Sequence, residues 1–344
     1  MGIKKIVIFV LMMMAYTICK SQIIDNKIIE EVFKYGTLAA SSHNAQMWRV
    51  VKESENLYRV ELDSLWRVNI VDPYDREAYI SIGAFIQNCI YAAPHYDISV
   101  DLLIKNAKAY LKFSKKIENK KLQECALHHI ERRHTCRRNF SDKPIPVDTV
   151  KMLCSLFQNV KYVEKFTEKG IKLSDLIINS SNIQLSSKES MNELSNYISS
   201  NHKDKIKKRG LTLENLGLNG IERLFFRIIY AKKKLAHNKS FHLSSIKTTR
   251  RQLKNCSGFF ILFAKQNTPN ELIKTGMELE RFWIMLNSIG ISVHPMSQPL
   301  EECYDEVTET FQNLGLPEMI LRVGYCNHEH SYKKLREKVE IQTH

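Results

Sequence analysis

The 344-residue chain has few of the sequence features that mark disordered proteins, repeat proteins or proteins with a glycine-rich nucleotide-binding loop. Its 8 prolines and 12 glycines are too few for long disordered stretches. It has no evident internal repeat, P-loop, GxGxxG, HExxH or nucleophile elbow. Hydrophobic residues make up 44% of the chain, which is enough for a sizeable core in one large or two medium domains.

The eight cysteines include no CxxC pair. Apart from Cys19 near the N-terminus, they are widely spaced and odd in number, which is not the pattern of a disulfide framework. We therefore expect most of them to be buried thiols. The histidines around Cys136 have no partner pair at zinc-ligand spacing, and their basic neighbours would repel a cation, so we expect no metal site.

The formal net charge is +14, with an isoelectric point near 9.3. Lysine and arginine are spread along the chain, denser at 199–254, and form no recognised nucleic-acid-binding module. A solvated basic face accounts for this distribution, and we expect no nucleic-acid partner. A small ligand that carries a phosphate would engage only a few of these charges.

The N-terminal stretch "MGIKKIVIFVLMMMAYTICKSQ" has a basic start and then an apolar run shorter than the roughly 20 residues that span a bilayer. It matches a signal peptide over residues 1–21, cleaved after Ser21, and predicts export to the periplasm or envelope. A lipoprotein anchored at Cys19 and an uncleaved anchor are the alternatives. Without a functional signal the protein would be cytoplasmic, and we expect membrane association only through this segment.

The order of apolar and amphipathic segments predicts an α+β fold. Helices are predicted at 26–40, 75–93, 122–134, from Val147 or Asp148, from 269 to a cap at Gly290, and at 306–315. Strands are predicted at "WRVVK", "LYRVELD", "WRVNIV", a hairpin around Lys105 and Asn106, "SGFFILFAK", "ISVHPM" and "EMILRVGY". The polar, basic and mostly helical span at 172–255 is interpreted as an insertion.

Polar segments at the ends of these elements are the candidate functional residues. "AASSHNAQMWRV" fits either a polar loop that ends in a core Trp or the floor of a pocket for a flat ligand. "RRHTCRRNF" brackets Thr135 with arginines, whose forked donors suit a phosphate, although a solvated helix end has the same spacing. "SVHPMSQPLE" places free backbone amides at a strand end, and the tail "SYKKLREKVE" offers further cations. His294 taken alone is more typical of a structural histidine.

In combination these segments resemble the nitroreductase-like flavoprotein superfamily, and most closely its Acg-like branch. "SSHNAQMWRV" is similar to the family's S-S-H-N-x-Q-P-W-R-F, and "DPYDREAYISIGA" to its D-P-x-x-R-E-x-x-I-S-x-G-A. "RRHTCRRNF" is similar to R-R-H-T-N-R-R-P-F, and "GISVHPMSQPLE" with "LPEMILRVGY" to the closing strand–helix–strand unit. The matches keep the family's order over 30–150 and 256–340. Met47 replaces a Pro of the pattern, Cys136 and Asn139 replace Asn and Pro, and the tail match is loose.

The resemblance implies a nitroreductase-like fold with two related halves in one chain, which form an internal pseudo-dimer. The expected boundaries are 22–125 for the N-terminal half and 126–344 for the C-terminal half, with the helical insertion at about 172–255. The insertion is a candidate lid, with "IERLFFRIIYA" as its amphipathic part. The chain would be a monomer with this pseudo-dimer, or a homodimer.

The resemblance also implies FMN as the cofactor. The family's flavin-lining loop is matched by Ser41, Ser42, Asn44 and Gln46. The positions that hold the phosphate and ribityl chain are matched by Arg133, Thr135 and Arg137, and loosely by Lys334 and Arg336. The turn whose backbone faces the flavin ring is matched by Pro295, Met296, Ser297 and Gln298. No catalytic protein residue is implied, because the flavin carries the redox chemistry.

The implied activity is a ping-pong oxidoreductase. NAD(P)H would reduce FMN, which would then reduce a nitroaromatic or quinone-like acceptor. The alternative is an FMN storage or sequestration protein, with a lid over the flavin and little reductase activity. A third interpretation is a flavin-free chain that uses the fold as a binding module. Export would separate the chain from cytoplasmic NAD(P)H, so another electron donor or FMN loading after export would then be needed.

Overall fold

The computed structural model describes residues 23–115, 121–199, 208–213, 215–216, 239–326 and 334–343. The predicted signal peptide and the predicted lid stretch "IERLFFRIIYA" lie outside these residues. The helices are α1 (Asn26–Gly36), α2 (Arg76–Ala92), α3 (Lys121–Arg132), α4 (Val147–Leu156), α5 (Glu168–Ser186), α6 (Lys188–Asn196), α7 (Lys239–Lys254), α8 (Pro269–Ser288), α9 (Gln298–Glu302) and α10 (Tyr304–Thr310). The strands are β1 (Trp48–Ser54), β2 (Leu57–Leu62), β3 (Ile98–Lys105), β4 (Lys108–Lys115), β5 (Val160–Glu164), β6 (Ile198–Ser199), β7 (Leu211–Thr212), β8 (Gly258–Ala264), β9 (Ser292–Pro295), β10 (Leu316–Gly324) and β11 (Ile341–Thr343).

Two sheets are joined by a central pair of helices. The first sheet has five strands in the order β11-β1-β2-β4-β3, antiparallel except where β11 runs parallel to β1. The second has four antiparallel strands in the order β5-β8-β10-β9. Helix α2 packs on the first sheet and α8 on the second, and the two helices contact each other. This architecture confirms the predicted α+β class.

Local sequence signals set the boundaries of several elements. The Asp25 side chain accepts a backbone N–H at 2.9 Å and caps α1, and Thr268 caps α8 in the same way. Helix α8 ends just before Gly290, whose φ of +79° is the left-handed conformation typical of a terminating glycine. Asn106 and Ala107 have φ values of 52° and 60°, which form the predicted tight turn between β3 and β4.

The contact between α2 and α8 depends on a glycine in each helix. A Cβ atom on Gly83 would lie 1.9 Å from the carbonyl oxygen of Ile273, and a Cβ atom on Gly276 would lie 1.9 Å from the carbonyl oxygen of Ile80. Each glycine therefore meets the carbonyl of the residue three positions before the other glycine. So close a backbone approach leaves no room for a side chain. The pair sets the distance between the helices.

The segment "WRVNIV" is not a strand, contrary to the prediction. It follows a 3₁₀ turn at Ser64–Trp66, and Val68 and Val71 are buried three positions apart. The Glu193 carboxylate accepts hydrogen bonds from the amides of Ile70 and Val71. These backbone donors are thus satisfied by a side chain and need no neighbouring strand.

Strands β5, β6, β7 and β11 are not among the predicted strands, and α10 is shorter than the helix predicted at 306–315. Trp48 is 5% exposed and stacks on Phe85 with ring centroids 5.0 Å apart, so it anchors the core as expected. Met47 is fully buried beside Ala45 and Val68, where a flexible apolar side chain fills the space. Within the described part of the chain, no helix has both the length and the apolar character that a membrane crossing requires.

Candidate functional site

A cavity of about 410 Å³ lies at the contact between α2 and α8. Ile80 and Ala84 of α2, with Leu279 and Trp283 of α8, line it with mostly apolar surface. Its volume is within the range of small-molecule sites, roughly 300–1,000 Å³. Polar residues from several loops complete the wall. The helix contact that joins the two sheets therefore also forms the base of the cavity.

The loop after α1 contributes Ser41, Ser42 and Asn44 to the cavity wall. His43, Asn44 and Gln46 have φ values of 50°, 54° and 56°. In the left-handed region a non-glycine residue is strained by roughly 1–2 kcal/mol. Strain of this kind persists only where the surroundings hold it, and it is concentrated at functional sites. The predicted flavin-lining loop is therefore a strained element of the cavity wall.

A short segment of the inserted region holds this loop in place. Arg209 donates through Nη1 to the carbonyl oxygens of Ala45 and Gln46, at 2.8 and 2.6 Å. The Asn44 side chain donates to the carbonyl of Gly210 at 2.8 Å. These bonds join residues more than 160 positions apart in sequence. The loop and the inserted segment therefore form one hydrogen-bonded unit.

Two of the predicted cofactor residues do not line the cavity. Gln46 is fully buried, and its side chain donates to the Lys208 carbonyl and accepts from the Glu337 amide, so it supports the loop from behind. Met296 lies in the core beside the second sheet, and its amide donates to the Ile320 carbonyl at 2.8 Å. The other predicted residues all line the cavity: Ser41, Ser42, Asn44, Arg133, Thr135, Arg137, Pro295, Ser297, Gln298, Lys334 and Arg336.

The predicted cations meet in the cavity although they come from distant parts of the chain. Arg133, Arg137, Lys334 and Arg336 all line it. The carboxylate beside them is Glu280, whose Oε1 lies 2.8 Å from Nε of Arg133. Both of these side chains are almost fully buried. We call this part of the wall, Arg133, Arg137, Lys334 and Arg336, the basic end of the cavity.

The pKa values at the basic end show an excess of positive charge. Burial, assisted by Arg133 and Arg336, lowers the pKa of Lys334 to about 6. Burial and Arg133 lower the pKa of Arg336 to about 9. Burial lowers the pKa of Arg137 to about 10, and no carboxylate among the described residues pairs with it. Cations that are partly withdrawn from water and repel one another favour an anion between them.

Arg336 joins the C-terminal tail to the strained loop. Its Nη1 donates to the Asn44 side-chain oxygen at 2.7 Å, and its Nη2 donates to the carbonyls of Leu38 and Ala39 at 3.3 and 3.1 Å. Its Nε is buried and has no hydrogen-bond partner among the described residues. The tail that the sequence presents as solvated charge is therefore part of the site, with one donor unused.

A carboxyl pair, Glu77 and Glu301, lines another part of the cavity. The two side chains are hydrogen-bonded to each other, and the Ser297 hydroxyl donates to Glu301 Oε1 at 3.1 Å. Burial and Glu77 raise the pKa of Glu301 well above its usual range. Burial alone would raise the pKa of Glu77, but Arg76 and the hydrogen bonds to this carboxylate together outweigh burial and lower that pKa. The two shifts favour a pair in which Glu301 keeps its proton while Glu77 carries the charge.

Unused polar atoms mark a third part of the wall. His294 and Gln298 both line the cavity, and neither Nδ1 of His294 nor Oε1 of Gln298 has a hydrogen-bond partner among the described residues. Burial, with Arg322 and Arg137, lowers the pKa of His294 well below its usual range, so the ring is neutral at pH 7. Buried polar atoms are nearly always hydrogen-bonded. These atoms are available to a ligand.

The inserted region forms one side of the cavity. Leu194 of α6 and Thr249 of α7 line it, as does Gln184 of α5, which donates to the Glu301 carboxyl. Arg137 donates to the Asn215 carbonyl at 2.8 Å. In the described part of the chain, no group of His, Cys, Asp or Glu side chains is arranged to hold a metal.

The sequence prediction missed the acidic residues of the site and Arg209. Glu280 has a signal that could have been used: it lies four positions after Gly276 and three before Trp283, so it shares the buried face of α8. A carboxylate on such a face needs a cationic partner. Arg209 offers no comparable signal, because its partners are backbone carbonyls far away in sequence.

No family model matches the chain. The chain is 22% identical over 318 residues to the probable NAD(P)H nitroreductase PigM of Serratia sp., and the match covers 86% of this chain and 88% of that protein. Among solved structures, the FMN-dependent nitroreductase NfnB from Mycobacterium smegmatis, in complex with NADPH, has 16% identity and a TM-score of 0.38, covering 60% of this chain and 90% of that one. NfnB from Sphigopyxis sp. strain HMH, an FMN- and NADPH-dependent nitroreductase, has 13% identity and a TM-score of 0.36, covering 58% and 87%.

The match to the Serratia protein extends over most of both chains. It supports the resemblance to nitroreductase-like proteins that the motifs show. At their TM-scores, the similarities to solved structures add no further argument.

Proposed function

We propose that this chain binds FMN in the cavity and is an NAD(P)H-dependent oxidoreductase of the nitroreductase type, from the Acg-like branch. The observation that carries the proposal is Arg137, a half-buried guanidinium that lines the cavity with no carboxylate partner among the described residues. A charge partly withdrawn from water without a counter-charge is unfavourable, so a ligand with a negative group stabilises this site. The similarity to a probable NAD(P)H nitroreductase supports the redox part of the proposal.

The basic end suits the phosphate of FMN. Arg137 and Arg336 provide guanidinium donors, Lys334 provides an ammonium group, and the Thr135 hydroxyl adds a neutral donor. The free Nε of Arg336 is a donor still to be used. A dianionic phosphate among these cations turns their mutual repulsion into attraction. The basic end therefore favours FMN over a flavin without phosphate.

The apolar base and the adjoining polar turn suit the flavin ring. Ile80 and Leu279 offer apolar contact to a flat face, while Ser297 and the unused Oε1 of Gln298 offer hydrogen bonds to a polar edge. FMN, when bound, supplies the hydride and electron transfer. The residues of this chain bind it, orient it and exclude water.

The wall that the inserted region contributes suits a flat acceptor of the nitroaromatic or quinone class. Met191 and Leu194 of α6, with Leu211 and Leu216 of the inserted region, line it with apolar surface. Apolar and aromatic molecules bind such surfaces through burial, with a few polar contacts fixing their orientation. A nitro or quinone oxygen would find donors in the same cavity.

The reciprocal glycine contact supports an internal pseudo-dimer. In a two-fold symmetric interface, residue i of one half contacts residue j of the other, and j contacts i. Gly83 and Ile80 in α2 correspond in this way to Gly276 and Ile273 in α8. Each helix packs on its own sheet. We propose that α2 and α8 are equivalent helices of two related halves, at 22–125 and 126–344.

FMN storage is the second candidate function, and the wall that the inserted region contributes to the cavity favours it. The inserted region lines the wall with α5, α6 and α7, and Arg209 ties it to the strained loop. In the storage proposal the insertion at about 172–255 is a lid. A wall of this kind slows flavin release, and it would also limit access for NAD(P)H and acceptors.

The visible spectrum of the purified protein tests FMN binding. We expect flavin absorbance, either as isolated or after incubation with FMN and removal of the excess. Rapid mixing with NADPH and with NADH then separates the two functions. Loss of flavin absorbance within seconds supports the oxidoreductase, whereas tightly held FMN that neither nucleotide reduces supports storage. Absence of flavin after incubation would contradict both and favour a flavin-free binding module.

Lys334 is expected to couple FMN binding to proton uptake. Its pKa of about 6 leaves it mostly neutral at pH 8, and a phosphate beside it would raise that pKa. Binding should therefore take up a fraction of one proton at pH 8, and affinity should fall as pH rises above 6 through this group. At pH 8 the FMN phosphate is already ionised, with a second pKa of about 6. Calorimetric titration in two buffers of different ionisation enthalpy measures the uptake.

The variant Lys334→Met should lose this proton uptake, and Lys338→Met serves as the control because that exposed lysine pairs with Glu30. Equal uptake by the wild type and Lys334→Met would contradict the assignment. In the ligand-free protein the lowered pKa of Lys334 also makes the stability of the fold depend on pH. The lysine binds a proton more readily in the unfolded chain, so it makes stability rise with pH between the folded pKa of about 6 and the unfolded pKa.

A further inference from the structure

Cys136 and Cys326 form a thiol pair on the side of the second sheet that faces away from α8. The described cysteines are thiols, and the two side chains of this pair lie within hydrogen-bond distance of each other. Cys136 is fully buried in the core cluster there, and the half-buried Cys326 packs against the same cluster. The sequence spacing of the cysteines did not predict any such pair.

The backbone around the two thiols is fixed at several points. The Cys136 amide donates to the Val293 carbonyl at 2.8 Å, and its carbonyl accepts from the Arg322 guanidinium. The Ser141 amide donates to the Tyr325 carbonyl at 2.7 Å, one residue before Cys326. The segment after Cys136 is thus hydrogen-bonded to the residue that follows β10. A disulfide needs the two chain segments to be close already, and here they are.

We propose that Cys136 and Cys326 form a disulfide bond when the protein meets a small-molecule disulfide or a protein whose active-site cysteines are joined as a disulfide. The Cys326 thiolate attacks one sulfur of the oxidant and expels one thiolate, and the Cys136 thiolate then attacks the Cys326 sulfur and expels the second. One S–S bond forms in the protein while the S–S bond of the oxidant breaks. Two electrons pass to the oxidant, and the protons of the two cysteines end on its two released thiols.

The order of attack follows from exposure and electrostatics. Cys326 is half-buried and can be reached by an oxidant, whereas Cys136 is not exposed. The hydrogen bond that the Cys136 thiol makes to Cys326, together with burial, raises the pKa of Cys136, so that thiol is the slower one to ionise. The Arg322 guanidinium lies near both sulfurs and favours their thiolate forms. Cys326 is therefore the attacking thiol and Cys136 the resolving one.

The disulfide would act on the cavity through the residues on either side of Cys136. Thr135 and Arg137 both line the cavity, and Cys136 lies between them in the chain. A covalent link to the end of β10 would restrict this segment. The predicted export would bring the chain into an oxidising compartment, where disulfides persist. This inference concerns the protein without FMN and stands apart from the proposed function.

Peptide mapping of the ligand-free full chain tests the proposal. The protein is incubated with oxidised glutathione, alkylated under denaturing conditions, digested and analysed by mass spectrometry. We expect a linked pair of peptides that contains Cys136 and Cys326. The number of alkylated cysteines should fall by two. Hydrogen exchange of the amides at 133–138 should slow, and Tm should rise on the order of 5 °C, because the link closes a long loop.

The variant Cys326→Ser should show no linked peptides, no slowing of hydrogen exchange and no rise in Tm. The variant Cys154→Ser, on α4, serves as the matched control. Cys326→Ser keeps the buried Cys136 in place and exchanges a single atom of a half-buried side chain, so most of the core packing is retained. Retention of both thiols, under conditions that oxidise the same cysteines in the denatured chain, would overturn the proposal. So would a stable glutathione adduct on Cys326 in the wild type, because it would show that Cys136 does not reach that sulfur.

Discussion

The variant Arg137→Ala is expected to bind FMN about 10- to 100-fold more weakly, because a hydrogen bond to a charged group contributes about 1.5–3 kcal/mol. Arg137 lines the cavity, keeps its charge at pH 7 and donates to the Asn215 carbonyl through only one nitrogen. Its remaining donors are available to a phosphate. Affinities for FMN and for riboflavin are measured by quenching of flavin fluorescence. Because riboflavin has no phosphate, the difference between the two affinities reports the phosphate contact. Riboflavin affinity should change little.

The matched control is Arg132→Ala, which removes the same charge from an exposed position that does not line the cavity. It should leave both affinities unchanged. The ligand-free Arg137→Ala protein should remain folded, with a free energy of unfolding within about 1 kcal/mol of the wild type, since one neutral-acceptor hydrogen bond is lost among the described residues. Equal loss of FMN and riboflavin affinity would show that Arg137 does not contact the phosphate.

The variant Gly83→Ala is expected to lower the free energy of unfolding by about 3 kcal/mol or more, in the upper range for overpacked sites. Its methyl group would overlap the carbonyl oxygen of Ile273, which is backbone and cannot rotate away. The helices must separate, and Ile80 and Leu279 at the base of the cavity move with them. We therefore expect FMN binding to fall together with stability. Urea denaturation and FMN titration measure the two effects.

Gly276→Ala should have a similar effect, because the two glycine contacts are reciprocal. The double variant should be less destabilised than the sum of the single variants, since one methyl group already separates the helices. Gly290→Ala is the control: no atom lies within 4 Å of its Cβ position, and only its φ of +79° opposes a side chain. That strain is about 1–2 kcal/mol. If the losses in the free energy of unfolding of the two single variants add up in the double variant, the two glycines do not share one helix contact.

Much of the site was predictable from the sequence because its residues lie in short motifs. Arg133, Thr135 and Arg137 are close together in the chain, and the motif that contains them fixes their relative positions. Lys334 and Arg336 were predicted only through the resemblance, since by composition the tail is solvated charge. The structure brings all of these residues to one cavity.

The rest was not predictable because it depends on contacts between distant segments. Arg209 and Glu280 act on residues more than 140 positions away, and no local pattern encodes those distances. The three-residue β11 is too short to show any periodicity. In "WRVNIV" the buried positions Val68 and Val71 are three apart, whereas a strand would bury alternate residues.

The contact between α2 and α8 has a consequence for the behaviour of the protein in dilute solution. Where two separate chains meet to form a binding site, the site is lost when dilution separates the subunits. Here both helices belong to one chain, and each is tied to the other by the intervening polypeptide. The effective concentration of one helix near the other is set by that connection and not by the amount of protein. The cavity at this contact therefore survives at any dilution at which the chain itself stays folded.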